Sequence, residues 1–191
     1  MPRNRPFMDR DDKRAELVEA ARRLFLTDGY AATTVSRLAR EAGVATNTLY
    51  WYFEDKDDVL LAVVDVEVAK GWRDYRALSK KRVADRLFWL VERLQEISLL
   101  VATVHERAAH SERVRAWHDR FHEALDAAAC EELAALGVPA ARRQALAKIW
   151  GFTIEGLLAH PLETSQQRAI CQALVVGFGT HTSRGETGRR K

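Results

Sequence analysis

The stretch TTVSRLAREAGVATNTLYWYFEDKDDVL, residues 33 to 60, decides the fold of this chain. Its first half has a threonine pair that can cap a short helix, and Gly43 closes that helix. Its second half predicts another short helix over 45–52, with Leu49 and Phe53 one turn apart on the same face. Two short helices joined by a tight glycine turn form the layout of a helix-turn-helix.

The helical pattern continues on both sides of this stretch. Apolar residues recur at helical spacing from 11 to 28. The segment ISLLVATV, residues 97 to 104, is apolar almost all round and predicts a central buried helix. Strand-type alternation is absent, so the predicted fold class is all-α. The longer helices are predicted near 56–79, 83–106, 111–136, 140–159 and 164–180.

The composition narrows the class of protein. The 191 residues are 47% hydrophobic, which is enough for a core, and the net charge of +3 means that any DNA-binding face must be local. No segment approaches the roughly 18 apolar residues of a membrane span. Cys130 and Cys171 lie far apart in apolar contexts, which favours buried free thiols. We therefore predict a cytoplasmic protein without a membrane segment, ending in a disordered basic tail over 183–191.

The second short helix of the opening stretch carries side chains suited to reading DNA. Thr46, Asn47 and Thr48 are short and polar. Asn can pair bidentately with adenine N6 and N7, and a Thr methyl can touch a thymine methyl. Tyrosine hydroxyls at the end of such a helix can hydrogen-bond phosphates, which fixes position without reading sequence. Only Leu49 and Phe53 need to face the core.

The same stretch resembles the DNA-binding core of the TetR family of bacterial transcriptional regulators. The family pattern runs from a Thr-rich helix start through Ala-Gly-Val to Leu-Tyr-x-x-Phe and a Lys that opens the fourth helix. It is matched by Thr34, Ala42, Gly43, Val44, Leu49, Tyr50, Phe53 and Lys56. The resemblance covers roughly residues 10 to 65.

The resemblance implies a division of the chain into domains. A three-helix DNA-binding head with a helix-turn-helix would occupy 1–55, with an N-terminal arm over 1–10. In that arm Arg3 and Arg5 either reach the DNA or belong to a disordered start. A helical ligand-binding and dimerisation domain would occupy 56–182.

The resemblance also implies roles for residues of the head. For Tyr52 the alternative to a phosphate contact is a ring packed in the core. For Lys56 it is a solvated charge, although a cation in the first turn of a helix opposes the helix dipole and asks for a reason, such as a bound phosphate. Many members have Ser at position 45 and Gly or Pro at 47, so Ala45 and Asn47 leave the operator sequence unpredictable. The implied phosphate contacts are Thr34, Ser36, Tyr50, Tyr52 and Lys56, and the implied base contacts are Thr46, Asn47, Thr48 and Trp51.

Function requires a dimer surface, because helix-turn-helix proteins normally bind two half-sites. The last two predicted helices carry stripes of small and apolar residues, and TetR-family members usually dimerise through their final two helices. Gly151 and Gly156 each cost roughly 1 kcal/mol against Ala inside a helix, which close helix–helix approach would offset. The alternative is packing within one subunit. The predicted homodimer interface comprises Ala145, Ile149, Phe152, Gly156, Ala169, Ala173 and Val176.

The larger domain is rich in aromatic residues, and the resemblance implies that it encloses a pocket. An all-helical domain of this kind can hold an apolar or aromatic ligand, although aromatic stripes are more often ordinary core. The predicted lining comprises Trp72, Trp89, Thr103, His105, Trp117, Phe121 and Trp150.

Two histidines invite a metal-binding interpretation. His118 and His122 have the i, i+4 spacing of a two-His site, and His105 could join them. No Glu lies inside the spacing and no Cys ligand is near, so we predict no metal and no cofactor. The default is a partly exposed pair beside an apolar helix face, while Glu155 is expected in a salt bridge at the dimer interface.

The combined prediction is a ligand-responsive, sequence-specific transcriptional regulator that binds a double-stranded DNA operator with palindromic half-sites. Repression, relieved by a small, largely apolar or aromatic effector, is the family's common mode. One alternative is an enzyme that carries a helix-turn-helix, but the chain lacks a nucleophile elbow, a Gly-rich phosphate loop and a zinc-type Cys pair, so we predict no enzyme. The other alternative is a regulator controlled by a protein partner or by concentration.

Overall fold

A computed structural model describes residues 10–160 and 162–179, with side chains up to residue 176. Arg3 and Arg5 of the predicted arm and the predicted tail over 183–191 lie outside the described residues.

All regular structure in the described residues is helical, which confirms the all-α fold class. Three short or medium helices precede a series of longer ones, and none of the described helices is both long and apolar enough to span a lipid bilayer. The helices are α1 (Arg10–Thr27), α2 (Val35–Glu41), α3 (Thr46–Tyr52), α4 (Lys56–Ala77), α5 (Val83–Glu96), α6 (Ser98–Ala108), α7 (Glu112–Ala135), α8 (Ala140–Ala159) and α9 (Thr164–Gly179).

The single helix predicted over 83–106 is wrong, because the chain breaks at Ile97. This residue has φ −113° and ψ 24°, outside the helical region, and forms the N-terminal boundary of α6. The segment 97–104 is also not buried on every side. Leu100 and Val104 are buried, whereas Leu99 is 49% exposed.

The described residues pack as two units, each with its own core. The first unit comprises residues 10–73 and 97–119, and the second comprises 74–96 and the described residues from 120 onward. α7 therefore begins in the first unit and continues into the second. The functional division into a head over 1–55 and a larger domain over 56–182 stays a prediction. The boundaries of the packing units differ from it, because later helices contribute side chains to the core of the head.

The core of the first unit joins the three N-terminal helices to α4, α6 and the start of α7. Phe25, Leu49 and Phe53 are each at most 2% exposed. Burying side chains of this size stabilises the unit by roughly 1.5–3 kcal/mol each. The later helices contribute Leu60, Val63, Leu100, Val104 and Val114 to the same cluster.

The turn between α2 and α3 depends on Gly43. Its φ is +66°, in the left-handed region that favours glycine. The reversal is closed by two backbone hydrogen bonds, from the Gly43 amide to the Arg40 carbonyl at 3.1 Å and from the Val44 amide to the Ala39 carbonyl at 2.9 Å. These bonds satisfy carbonyl groups that a helix end leaves unpaired, so the angle between α2 and α3 is set locally.

The core of the second unit is formed by α5, α7, α8 and α9. Trp150 is 2% exposed and is the largest fully buried side chain. Cys171 is buried and free, and burial raises the pKa of its thiol to about 11; Cys130 is also a free thiol and is half-buried. The cluster around them includes Leu87, Phe88, Val91, Leu133, Leu146 and Leu174.

Candidate nucleic-acid interface

The large apolar and aromatic residues at the C-terminal end of α3 are divided between the core and the surface. Leu49 is 1% exposed and Phe53, directly after the helix, is 2% exposed. Tyr50 and Trp51 are 51% and 63% exposed. Two adjacent large aromatic side chains are therefore exposed on α3, on the helix that the sequence predicts to meet DNA.

The polar residues predicted to read bases lie on the first turn of the same helix. Asn47 is exposed, and Thr46 and Thr48 are half-buried. The helix begins after Ala45, which has no side-chain cap, and the amide of Thr48 donates to the Ala45 carbonyl at 2.9 Å. The structure therefore brings the predicted base-contact residues together on one helix of seven residues and leaves each of them at least partly exposed.

Trp51 is held in place by neighbouring side chains. The Arg10 guanidinium lies 4.6 Å from the centre of the Trp51 ring, and the Tyr52 ring meets Trp51 edge-on at 5.0 Å. Tyr52 is half-buried and packs against the core of the first unit. The Tyr52 ring therefore packs against the core, while part of the residue stays exposed. Its phosphate contact stays a prediction.

The predicted phosphate contacts at the start of α2 are exposed. The Thr34 hydroxyl accepts a hydrogen bond from the Arg37 amide at 3.2 Å, which caps α2. A hydroxyl that accepts one hydrogen bond can still donate another, so capping and phosphate binding are compatible. Ser36 lies in the first turn of α2 and is also exposed.

Lys56 has a role inside the first unit. Its Nζ donates to the carbonyls of Tyr30 at 2.9 Å and of Thr33 at 3.1 Å, and it lies 3.9 Å from the centre of the Tyr30 ring. Burial, and then the charge of Arg107, lowers the pKa of this ammonium. These carbonyls supply a reason for a cation at the start of α4. The phosphate contact of Lys56 stays a prediction, and two of its three donors already hold the loop between α1 and α2.

Asp57, one residue later, is the centre of a buried polar network. It is 8% exposed, and Arg107 on α6 binds it through two hydrogen bonds of 3.0 Å and 2.8 Å. The Tyr30 hydroxyl donates to the same carboxylate. Burial alone would raise the pKa of Asp57, but hydrogen bonds from Arg107, Tyr30 and Ser111 outweigh it and hold the pKa below its ordinary value. The network ties α6 to the start of α4 and to the loop after α1.

A second buried acid joins α1 to α4. Glu67 is 3% exposed, and the Arg22 Nε donates to its carboxylate. That hydrogen bond raises the pKa of Arg22. Sequence reasoning missed both networks because 45 residues separate Arg22 from Glu67 and 50 separate Asp57 from Arg107, and no local spacing signals such pairs.

The residues predicted to form the dimer interface lie on exposed parts of α8 and α9. Phe152 is 68%, Val176 64% and Ile149 44% exposed. Gly156 is half-buried. The remaining positions, Ala145, Ala169 and Ala173, are exposed.

The residues predicted to line a pocket are distributed over both units. In the first unit, the Trp117 Nε1 donates to Asp65 at 2.7 Å and the Thr103 hydroxyl donates to the Leu99 carbonyl at 2.7 Å, so both polar groups are engaged within the unit. In the second unit, Trp150 is part of the core, and its buried Nε1 has no hydrogen-bond partner among the described residues. The other members are Trp72, Trp89 and Phe121, which are half-buried, and His105, which is exposed.

The segment that carries this interface is similar in sequence to known transcriptional regulators. The family described as bacterial regulatory proteins, tetR family, matches residues 17–63, which span α1 to the first part of α4. The HTH-type transcriptional regulator HbdR of Aromatoleum sp. (strain CIB) is 46% identical over 50 residues. That match covers 26% of this chain and 22% of HbdR, so the chain spans less than a quarter of that relative.

Comparisons of structure extend over most of the chain. A TetR-family regulator structure from Mesorhizobium loti superimposes with a TM-score of 0.71 at 18% identity and covers 90% of this chain and 96% of that one. A transcriptional regulator from Saccharomonospora viridis, solved in complex with choline, gives 0.68 at 20% identity and covers 87% and 97%. At these identities the likeness is one of fold.

The fold and the exposed α3 define an all-α protein with an N-terminal helix-turn-helix DNA-binding domain. Residues 17–63 match the DNA-binding segment of the TetR family, as the resemblance of the sequence predicted, and the rest of the chain shares the fold of solved TetR-family regulators.

Proposed function

We propose that this protein is a ligand-responsive, sequence-specific transcriptional regulator, and that it acts as a repressor released from its operator by a small, largely apolar or aromatic effector. TetR-family proteins are generally DNA-binding regulators rather than enzymes, and we propose no catalytic role for this chain. The observation that carries the proposal is α3, which exposes Asn47, Tyr50 and Trp51 while Leu49 anchors it in the core.

The division of labour on this surface follows from the chemistry of DNA. Asn47, with Thr46 and Thr48, would meet base edges in the major groove, because their short polar side chains fit donor and acceptor patterns there. Trp51 would add an apolar contact to the same groove. Thr34, Ser36, Tyr50, Tyr52 and Lys56 would meet phosphates, which fix the register of the protein on the duplex.

The partner chain is proposed to be a second copy of the protein. α8 and α9 expose an apolar face that includes Ile149, Phe152 and Val176, and a face of this kind is expected to be covered in a stable assembly. A two-fold dimer through this face would present two copies of α3 to the palindromic half-sites of one operator, about one helical turn apart.

The effector is proposed to act by differential affinity for two conformations. Shifting such an equilibrium from 1:99 to 99:1 needs about 5.5 kcal/mol of preference for one state. The structural neighbour that contains choline supports a small organic molecule as the kind of ligand. The buried N–H of Trp150, which no acceptor in the described part of the chain contacts, would be one group that orients it. We place the site of action in the cytoplasm, where DNA and effector meet.

The test is binding of the purified protein to DNA from around its own coding region, measured by gel shift over a salt series with competitor DNA. We expect specific binding with two protomers per site, and a salt slope that rises by about 0.9 for each phosphate neutralised. A shuffled duplex of the same composition is the control. If no fragment is bound more tightly than the shuffled duplex, even at low salt and after removal of bound ligand, the proposal fails.

A further inference from the structure

One stripe of α1 changes from apolar to basic along the helix. Leu17 and Ala21 on this stripe are buried in the core of the first unit. Toward the N-terminus the same i, i+3, i+4 spacing places Arg10, Lys13 and Arg14 on that side of the helix. Charged side chains do not continue an apolar core, so the basic half of the stripe needs partners of another kind.

Each of the three basic side chains contacts the helix-turn-helix. The Lys13 Nζ lies 3.5 Å from a backbone carbonyl oxygen at the end of α2. The Arg14 guanidinium lies 5.1 Å from the centre of the Phe53 ring, directly after α3. The Arg10 guanidinium lies over the Trp51 ring of α3, at 4.6 Å from its centre. The packing of α1 within the first unit therefore brings Arg10 to Trp51.

Trp51 needs such a neighbour if it is to meet DNA in one orientation. It is 63% exposed, so the core does not fix its rotamer. Binding that immobilises a freely rotating side chain costs affinity, and a contact that already holds the side chain in the free protein removes part of that cost. Trp is the ring that binds a guanidinium most strongly. The Arg10 guanidinium and the Tyr52 ring, edge-on at 5.0 Å, thus restrict the indole from two directions.

We infer that Arg10 is a positioning residue for DNA recognition, which acts by holding Trp51 in the orientation that meets a base edge, such as a thymine methyl, in the major groove. The inference rests on the proposed function, in which Trp51 makes an apolar contact in that groove. It gives α1 a part in the choice of base, although α1 lies outside the helix-turn-helix. Sequence reasoning gave Arg10 no role, because the residue is far from Trp51 along the chain.

The test is a double-mutant cycle of Arg10→Ala and Trp51→Ala in the full-length protein. The probe is the coding-region fragment that binds the wild-type protein most tightly, together with versions that carry each base in turn. Arg10→Ala should raise the dissociation constant by about 2- to 12-fold, the factor for ordering one side chain, and relax the same base position as Trp51→Ala. In the Trp51→Ala background its effect should be less than about 2-fold, because no ring is left to hold.

A second measurement follows the indole without DNA. Protein labelled with 5-fluorotryptophan should give one fluorine resonance for each of its five tryptophans, and Trp51→Phe identifies that of Trp51. Arg10→Ala should shift this resonance and leave the others in place. A variant that is merely less stable would not move one tryptophan signal alone.

Arg23→Ala is the matched control, because Arg23 is an exposed arginine on the same helix that pairs with Glu19 and Glu41 at 3.8 Å and 3.4 Å. It removes the same charge and should change neither the base preference nor the Trp51 resonance.

The inference is overturned if Arg10→Ala weakens all duplexes alike in both Trp51 backgrounds, since Arg10 then acts only as a charge. It is also overturned if the Trp51 resonance does not move. Both results are obtained with a wild-type protein that binds DNA, so they leave the proposed function standing. A wild-type protein that binds no fragment specifically would instead overturn the proposed function, and this inference with it.

Discussion

At the scale of the residue, Asn47 is the side chain on which sequence recognition is expected to depend. Asn47→Ala should weaken binding to the specific operator by roughly 1–3 kcal/mol and relax the preference at one base position, because it removes a bidentate contact to an adenine edge. The measurement is a titration against operators that carry each base in turn.

Tyr50→Phe provides the comparison for that experiment. It removes only the hydroxyl expected to meet a phosphate, so it should weaken every duplex alike and leave the preferred bases unchanged. The assignment of Asn47 as a base reader is wrong if Asn47→Ala also weakens all duplexes equally.

The stability that the Asp57 carboxylate contributes is expected to depend on pH. Its folded-state pKa lies below its unfolded value of about 3.9, so the stability it supplies is fully present above that value and is lost as the pH falls through the folded-state pKa. Asp57→Asn should lower the free energy of unfolding at pH 7 by up to about 3 kcal/mol, discounted because the Arg107 side chain is 30% exposed. The difference in unfolding free energy between Asp57→Asn and wild type should shrink below about pH 4, because the wild-type carboxylate becomes protonated and is then neutral, as the Asn side chain is at every pH.

Denaturant unfolding at a series of pH values would check this, with Asp85→Asn as the control. Asp85 pairs with Arg82, whose side chain is 75% exposed, and such surface pairs contribute little. Equal responses of the two variants across the pH range would rule out a special role for the Asp57 network.

The residue scale also shows what sequence can and cannot predict. Helical spacing correctly separated Leu49 and Phe53, which are buried, from the exposed Tyr50 and Trp51. The oddity of Lys56 in a first helical turn was visible in the sequence, but the Tyr30 and Thr33 carbonyls that explain it were not. Those contacts depend on where the chain returns in space.

At the scale of the element, α8 carries a test of the dimer interface. Gly151 and Gly156 are both helical, and an added Cβ at either would meet no atom of this chain within 4 Å. Each change to Ala should therefore favour the helix by roughly 1 kcal/mol. Only Gly156 lies on the predicted interface, so Gly156→Ala should also weaken the dimer, by about 1–3 kcal/mol if the partner helix approaches closely.

Analytical ultracentrifugation of the two variants would separate these effects. We expect a dimer dissociation constant raised by about 5- to 150-fold in Gly156→Ala and unchanged in Gly151→Ala, since 1.4 kcal/mol corresponds to a factor of ten. Identical constants would place Gly156 outside the contact between protomers.

Helix positions followed the sequence closely, and the break at Ile97 is the informative exception. The stretch 83–106 contains no Gly or Pro, so periodicity alone extended one helix through it. The division into α5 and α6 leaves Leu100 and Val104 in the first core and Leu99 exposed, which is a consequence of tertiary packing.

At the scale of the whole molecule, the helix-turn-helix shares its core with a helix far along the chain. Leu100 on α6 is 1% exposed within that core. Leu100→Ala should therefore lower the free energy of unfolding by about 2–5 kcal/mol and weaken operator binding, although it lies far in sequence from α3. Chemical denaturation and gel shift would measure the two losses.

Leu99→Ala is the matched control for this change. Leu99 is its neighbour on α6 and is 49% exposed, so its loss should alter stability by no more than about 0.5 kcal/mol. If Leu100→Ala leaves DNA binding intact at a temperature where the variant is partly unfolded, the head folds independently of α6.

The Asp57–Arg107 network also bears on how hybrid regulators are built. A chimera joined after residue 55 would transplant Tyr30 without its carboxylate partner Asp57, and without Arg107, which binds that carboxylate from α6. The graft would also lose Lys56, which closes the loop between α1 and α2. A transplant that keeps the proposed operator specificity therefore has to carry α4 and α6 with α3, or rebuild their contacts in the recipient.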